Sequence, residues 1–339
     1  MSRRPAQQKL SRGGEAERKR AEALGEVEES GLHGVPKKTL IEKRRLGHTG
    51  IAVSALGFGA SELGQKRMAL KTAAYILGSA LDAGLNVIDT AACYGNSEEL
   101  IGRAVGHRRK DFYILTKCGH ASGLRFDDWT PALIEPSIDR SLERLRTDYL
   151  DLVQLHSCDE QHLRQGELTA ALQRARDKGK LRYIGYSGDG KAALYAAKCG
   201  AFDTIQISLS IADQEAIETV LPLARERDIG IIAKRPIANA AWLAGSWWSL
   251  GLYSRSYRMR LRKLNYEFLS GDAKEAIATA LRFTLSVPDV HTAIVGTTKP
   301  SRWQQNAALL AEGPLSQSEY DSIRTRWRSV ATSGWVGLQ

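Results

Sequence analysis

Downstream of residue 50 one pattern repeats along the chain: a short apolar run, a turn, and then a helix-length amphipathic segment. The runs are Val53–Gly57, Val87–Asp89, Phe112–Lys117, Leu150–His156, Leu181–Ser187, Thr204–Ile207, Gly230–Lys234 and Thr292–Gly296, eight in all. Runs this short and this apolar fit strands buried on both faces. The segments between them carry helical spacing. Over Leu133–Arg146, Ile138, Leu142 and Leu145 share a face, with Thr130 placed to cap the helix and Pro131 at its first position. Over Ala273–Leu285 the stripe is Ile277, Leu281 and Leu285.

Eight such strands alternating with helices predict a closed parallel (β/α)8 barrel, a fold whose active site lies at the carboxyl ends of the strands. The competing architecture is an open doubly wound sheet, which expects G-x-G-x-x-G after its first strand. Here Gly57-Phe58-Gly59-Ala60-Ser61-Glu62 lacks the third glycine and shows no helical follow-on. Ahead of the barrel, Thr39-Leu40-Ile41, Arg45-Leu46-Gly47-His48-Thr49-Gly50 and Ile51-Ala52-Val53 predict an N-terminal β-hairpin turning at Thr49-Gly50. Residues 1–34 are rich in Arg, Lys, Glu, Gly and Ala and bury too little to order themselves, so they read as a disordered tail before a barrel spanning 35–339. A long loop, from Ala238 to about Gly271, follows the seventh strand.

At 339 residues with 43% apolar side chains, the chain can build one core of barrel size. It has no apolar run of membrane-spanning length, and its start, MSRRPAQQKLSRGGEAERKR, lacks a signal-peptide core. A cytoplasmic protein without a membrane partner is expected. The net charge of +10 is scattered through the helices and concentrated only before residue 46, which suits solubility rather than a nucleic-acid partner. Cys93, Cys118, Cys158 and Cys199 are too few and too spread for a disulfide framework or a structural metal site, and free thiols are expected.

The barrel rule directs attention to polar residues at strand ends. Asp89 ends Asn86-Val87-Ile88-Asp89, Tyr94 follows shortly after, Lys117 ends Ile114-Leu115-Thr116-Lys117, and His156 ends Leu152-Val153-Gln154-Leu155-His156. Singly, each has an ordinary explanation as a cap, a turn or a hydrogen-bonded core residue. Together they can transfer a proton. A buried ammonium beside a phenol favours phenolate and draws its pKa down from about 10, while a carboxylate keeps the ammonium charged. The phenol can then serve as a general acid and the imidazole can donate to a carbonyl oxygen.

The stretches LGHTGIAVSALGFGA, AGLNVIDTAACYGNSEELIGRAV, FYILTKCG, RSLERLRTDYLDLVQLHS, GKLRYIGYSG and VHTAIVGTTKPSRWQQN resemble the aldo-keto reductases, and the resemblance covers nearly everything after residue 38. It implies reduction of aldehyde or ketone carbonyls, small-molecule substrates, by hydride from NADPH. Tyr94 becomes the proton donor, Lys117 and Asp89 its tuning pair, and His156 the orienter of the carbonyl. It also implies a cofactor site built from Gly59 and Ala60 at the first strand, Ser187 and Gln206 against the carboxamide, and Gly296, Thr297, Thr298, Lys299, Arg302, Gln305 and Asn306 around the 2′-phosphate and adenine. An arginine fork suits a phosphate dianion, which favours NADP(H) over NAD(H).

Two departures from the family pattern stand out. Gly188 replaces the asparagine that follows the serine, leaving that hydrogen bond to Asp189 or water. Lys234 replaces the aromatic residue that many members stack on the nicotinamide, and Lys234 with Arg235 could instead meet the pyrophosphate. For the substrate, Trp242, Trp247 and Trp248 in the long loop, with Tyr253 and Tyr257, are candidates for a lid or for rim packing. The Gly119–Trp129 loop and Trp335 are further candidates for the same wall. Cys93, Cys118 and Cys158 all neighbour the predicted site, which opens the possibility of redox sensitivity. A barrel that binds NADPH as a sensor or scaffold with little turnover is the alternative reading.

Overall fold

A computed structural model of the chain describes residues 41–65, 68–243 and 252–338. The predicted tail over 1–34 and the predicted pair Trp247 and Trp248 lie outside the described residues. Ten strands are present among the described residues: β1 (Lys43–Arg45), β2 (Ala52–Ser54), β3 (Leu56–Gly59), β4 (Val87–Asp89), β5 (Tyr113–Cys118), β6 (Leu150–His156), β7 (Leu181–Ser187), β8 (Thr204–Ser208), β9 (Gly230–Lys234) and β10 (Thr292–Gly296). β3 to β10 close into an all-parallel barrel in chain order, with β10 pairing back onto β3 at Ile294 opposite Gly57. Helices cover its outside, including Pro131–Leu145 and Ala273–Ser286, and the fold is the expected (β/α)8 barrel with an N-terminal hairpin.

Three details differ from the sequence expectation. The predicted first strand, Val53–Gly57, is divided: Val53 belongs to the hairpin strand β2, while the barrel strand starts at Leu56. A short apolar stretch with one break cannot by its periodicity say which sheet each half joins. A five-residue helix, Ser61–Gln65, does follow β3. Among its described residues, the long connection after the seventh barrel strand, β9, carries short 3-10 segments at Ala238–Leu243 and Glu267–Ser270 and a thirteen-residue helix, Leu252–Leu264.

The side-chain alternation along the strands explains how the site is positioned. Val87, Leu115, Leu152, Ile232 and Ile294 form one buried cluster with Leu46 and Val53 of the hairpin, while their neighbours Ile88, Ile114, Val153, Ile231 and Ala293 belong to the larger core. Two residues further along four of these strands, on the same face, come Asp89, Lys117, Gln154 and Lys234, with His156 two beyond Gln154. The interior is therefore apolar at the amino end and polar at the carboxyl end.

The hairpin plugs the amino end. β1 pairs antiparallel with β2, Leu46 is fully buried, and the Tyr183 hydroxyl donates to the Thr49 carbonyl at 2.6 Å. Gly47 lies against the start of β9 with φ +52, and a β-carbon there would sit 2.3 Å from the Gly230 nitrogen. The approach of hairpin to barrel thus needs a residue without a side chain. At the carboxyl end, helix Leu252–Leu264 is tied down by a buried cluster: Arg260 pairs with Asp213, and Tyr257 donates to the same carboxylate at 2.5 Å. No helix among the described residues is long and apolar enough to cross a membrane.

Candidate active site

The carboxyl end of the barrel opens into a cavity of about 810 Å³ whose lining includes Asp89, Tyr94, Lys117, His156, Ser187, Gln206, Lys234 and Arg235. At its floor the Lys117 ammonium lies 2.6 Å from Asp89 Oδ2 and 2.9 Å from the Thr90 carbonyl. The Asp89 carboxylate also accepts from Gln206 Nε2 at 3.1 Å, which fixes its plane. Lys117 Nζ stands 5.3 Å from the centre of the Tyr94 ring, and the His156 ring meets Tyr94 edge-on at 5.6 Å. The four residues come from three consecutive strands and the turn after β4, so closing the sheet is what gathers them.

The electrostatics differ in one respect from the sequence expectation. Burial raises the Tyr94 phenol above its ordinary value; Lys117 pulls it down as expected, but with Asp89 pushing back burial prevails. Tyr94 therefore holds its proton at neutral pH. Burial alone would lower Lys117, but Asp89 and Tyr94 reverse that and keep it charged. Burial, reinforced by Lys117 and Lys234, holds His156 well below the ordinary histidine value, so its ring is neutral. Cys93 Sγ lies 3.3 Å from His156 Nδ1, and burial raises the Cys93 thiol. Donation from the protonated thiol to Nδ1 would place the ring proton of His156 on Nε2.

The other expected residues fall into two groups. Gly59, Ser187, Gln206, Lys234, Arg235 and Gly296 line the cavity. Ala60 is sealed beneath it, with its amide bonded to the Asp89 carbonyl at 2.8 Å. Thr297, Thr298, Lys299, Arg302, Gln305 and Asn306 continue from Gly296 outside the cavity lining: Thr297 Oγ1 accepts from the Lys299 amide at 3.0 Å, and Arg302 opens the helix Arg302–Ala308. Asp189 is already engaged, accepting from the Ser208 amide at 2.7 Å and from Lys234 Nζ at 2.9 Å. Lys234 is thus held at the strand end by a buried carboxylate, though burial still lowers its pKa.

Trp242 packs half-buried against the outer core rather than on the cavity, and Tyr257 is buried in the Asp213 cluster. Trp335 packs on Trp327 at 5.3 Å. All four cysteines are free, Cys118 and Cys158 are buried, and no metal-binding group of His, Cys, Asp and Glu occurs among the described residues. The cavity also takes in Ser61, Glu62 and Ser157, which sequence reasoning passed over, and His120, Asn239 and Ser254, which lie in the two loops it offered as the substrate wall. His120 stands two residues beyond the end of β5, the kind of strand-end placement that could have flagged it.

The sequence model of the aldo/keto reductase family matches residues 55–328. The chain belongs to that family. It is 30% identical over 300 residues to L-galactose dehydrogenase of Arabidopsis thaliana, covering 81% of this chain and 89% of that protein. It is 29% identical over 309 residues to D-threo-aldose 1-dehydrogenase of a Pseudomonas species, covering 77% and 91%. Among solved structures, aldo-keto reductase AKR11C1 from Bacillus halodurans in its holo form superposes with a TM-score of 0.74 at 26% identity, covering 87% of this chain and 99% of that one. The aldo/keto reductase chain described here is accordingly a carbonyl oxidoreductase of a family that generally uses a nicotinamide cofactor.

Proposed function

We propose that this reductase converts aldehydes or ketones to alcohols with NADPH, with Tyr94 as the acid. The observation that carries the reading is the buried Lys117–Asp89 pair set 5.3 Å from the Tyr94 ring, beside a neutral His156 at the floor of an open cavity.

The residues present suit a nicotinamide cofactor. Gly59 and Gly296 face each other across adjacent strands, and a β-carbon on Gly296 would meet the Gly59 carbonyl at 3.0 Å, so this wall is kept flat and bare. Ser187 and Gln206 offer a hydroxyl and an amide to the carboxamide. Lys234 and Arg235 face the same space with positive charge suited to a pyrophosphate. Lys299 and Arg302, at the start of the last barrel helix, suit the 2′-phosphate.

A dihydronicotinamide held by these residues would supply the hydride. His156 Nε2–H donates to the carbonyl oxygen and polarises it. As the carbon receives hydride, the Tyr94 hydroxyl passes its proton to that oxygen, completing the alcohol. Lys117, kept charged by Asp89, stabilises the phenolate left behind until solvent returns the proton.

The test is consumption of NADPH by the full chain against aldehydes and ketones, repeated with NADH. Turnover with NADPH supports the reading. Tight NADPH binding without turnover of any carbonyl would instead support a cofactor-sensing barrel. Arg302→Ala should weaken NADPH by about tenfold or more, the worth of a charge-assisted phosphate contact, and leave NADH unchanged.

A further inference from the structure

We propose that His120, held by Asp128, is a specificity-determining residue that accepts a hydrogen bond from a hydroxyl next to the reacting carbonyl, so that the preferred substrates are α-hydroxy aldehydes and ketones. The proposal rests on the carbonyl-reductase reading of the same cavity and adds the substrate class.

The loop after β5 is built to hold one imidazole at the cavity wall. Gly119 has φ +120, and a β-carbon there would lie 2.1 Å from the Trp129 ring, so Trp129 packs directly on its backbone. The Trp129 amide closes the loop onto the Gly119 carbonyl at 2.8 Å, and the Trp129 ring lies 4.5 Å from the His120 ring. Asp128 accepts from the Ala121 amide through Oδ1 and from His120 Nδ1 through Oδ2, both at 2.8 Å. One side of the imidazole is therefore fixed, and among the described residues nothing bonds to its Nε2.

The partners point to the atom that each ring presents. A carboxylate only accepts, so His120 Nδ1 carries the proton, and in the neutral ring Nε2 is an acceptor. We take His156 as the reverse: Cys93 Sγ at 3.3 Å from Nδ1 suits a thiol donating there, which makes Nε2 the donor. The two rings are 5.4 Å apart and inclined at 74°, and both line the cavity. One donor beside one acceptor matches a carbonyl oxygen, which accepts, beside a hydroxyl, which donates. It does not match a carboxylate beside the carbonyl, which would bring lone pairs against the Nε2 lone pair.

The pair that isolates the effect is lactaldehyde and propanal, which differ by one α-hydroxyl. The wild-type chain with NADPH should prefer lactaldehyde in kcat/KM by about tenfold or more, as one hydrogen bond realised at a positioned acceptor predicts. His120→Ala should remove most of that preference, read as the ratio of kcat/KM for the two aldehydes. Asp128→Asn tests the tautomer itself: its amide can donate to Nδ1, turning Nε2 into a donor, and the preference should be lost with the loop intact. A second readout needs no turnover. In the chain labelled with 15N-histidine, 1,2-propanediol should shift the His120 Nε2 resonance and 1-propanol should not. Equal kcat/KM for the two aldehydes, a ratio unchanged in both variants, stronger competition by pyruvate than by the diol, or no shift of His120 would each overturn the proposal. Absence of turnover combined with a diol-specific shift would count against the reductase reading and leave His120 as a hydroxyl-binding group.

Discussion

The chemistry of this site depends on the balance between burial and charge at single residues. Tyr94 is an acid because burial outweighs the pull of Lys117, and the sign has a consequence for pH. A raised phenol pKa keeps the proton in place through neutral and moderately alkaline pH. Carbonyl reduction should therefore show no loss assignable to Tyr94 until pH passes the ordinary tyrosine value near 10, as a kcat profile would reveal. A falling limb centred near neutrality that disappears in Tyr94→Phe would contradict this. Lys117→Met removes the cation from a pair whose side chains are 2% and 6% exposed, leaving Asp89 buried with Gln206 as its hydrogen-bond partner. A loss of about 3–5 kcal/mol in urea unfolding is expected, the usual cost of an uncompensated buried charge.

Asp89, Lys117 and His156 were legible in the sequence because each ends an apolar run, and alternation places every second residue of a strand on one face. For His120 only its loop, Gly119–Trp129, was legible, because the shape of that loop is set by Trp129 packing on Gly119, a contact across ten positions that no periodicity announces. The direction of the Tyr94 shift was misjudged for a related reason: proximity of a lysine can be guessed from strand order, whereas the degree of burial follows from packing.

At the scale of elements, the strands and the N-terminal hairpin were read closely, and the division of Val53–Gly57 and the course of the connection after β9 were not. β6, β7, β9 and β10 have the boundaries that their apolar runs suggest. The break at Ala55 divides one apolar stretch between two sheets, because Ala52–Ser54 pairs with Lys43–Arg45 while Leu56 begins the barrel. In the connection after β9 the aromatic residues suggested a lid. Tyr257 instead faces inward, because Asp213 needs both its hydroxyl and the Arg260 guanidinium. Burial pushes the Asp213 carboxyl up to about 7 despite these partners. Asp213→Ala strands Arg260 in the interior and should destabilise the fold by about 3–5 kcal/mol, measured by chemical unfolding. Wild-type stability should in turn fall slightly as pH rises from the ordinary aspartate range through about 7, because the raised carboxyl must ionise while buried. Gly47→Ala should also cost stability, since the new methyl group meets the Gly230 backbone in a left-handed conformation. An unchanged melting temperature in Gly47→Ala would show that the hairpin does not plug the barrel as closely as described.

For the molecule as a whole, the barrel is closed at its amino end by an apolar plug and open at its carboxyl end to a polar cavity, and this polarity places the chemistry. If residues 1–34 are a tail, a chain beginning at 35 should keep its full turnover and NADPH affinity. The measurement that bears most directly on the account is turnover by Tyr94→Phe set beside its affinity for NADPH. The phenyl ring keeps the ring in place and removes the hydroxyl that carries the proton. The account predicts a kcat lower by about 10²–10⁴-fold with NADPH affinity unchanged. A variant that reduces carbonyls at the wild-type rate would contradict the assignment of Tyr94 as the acid.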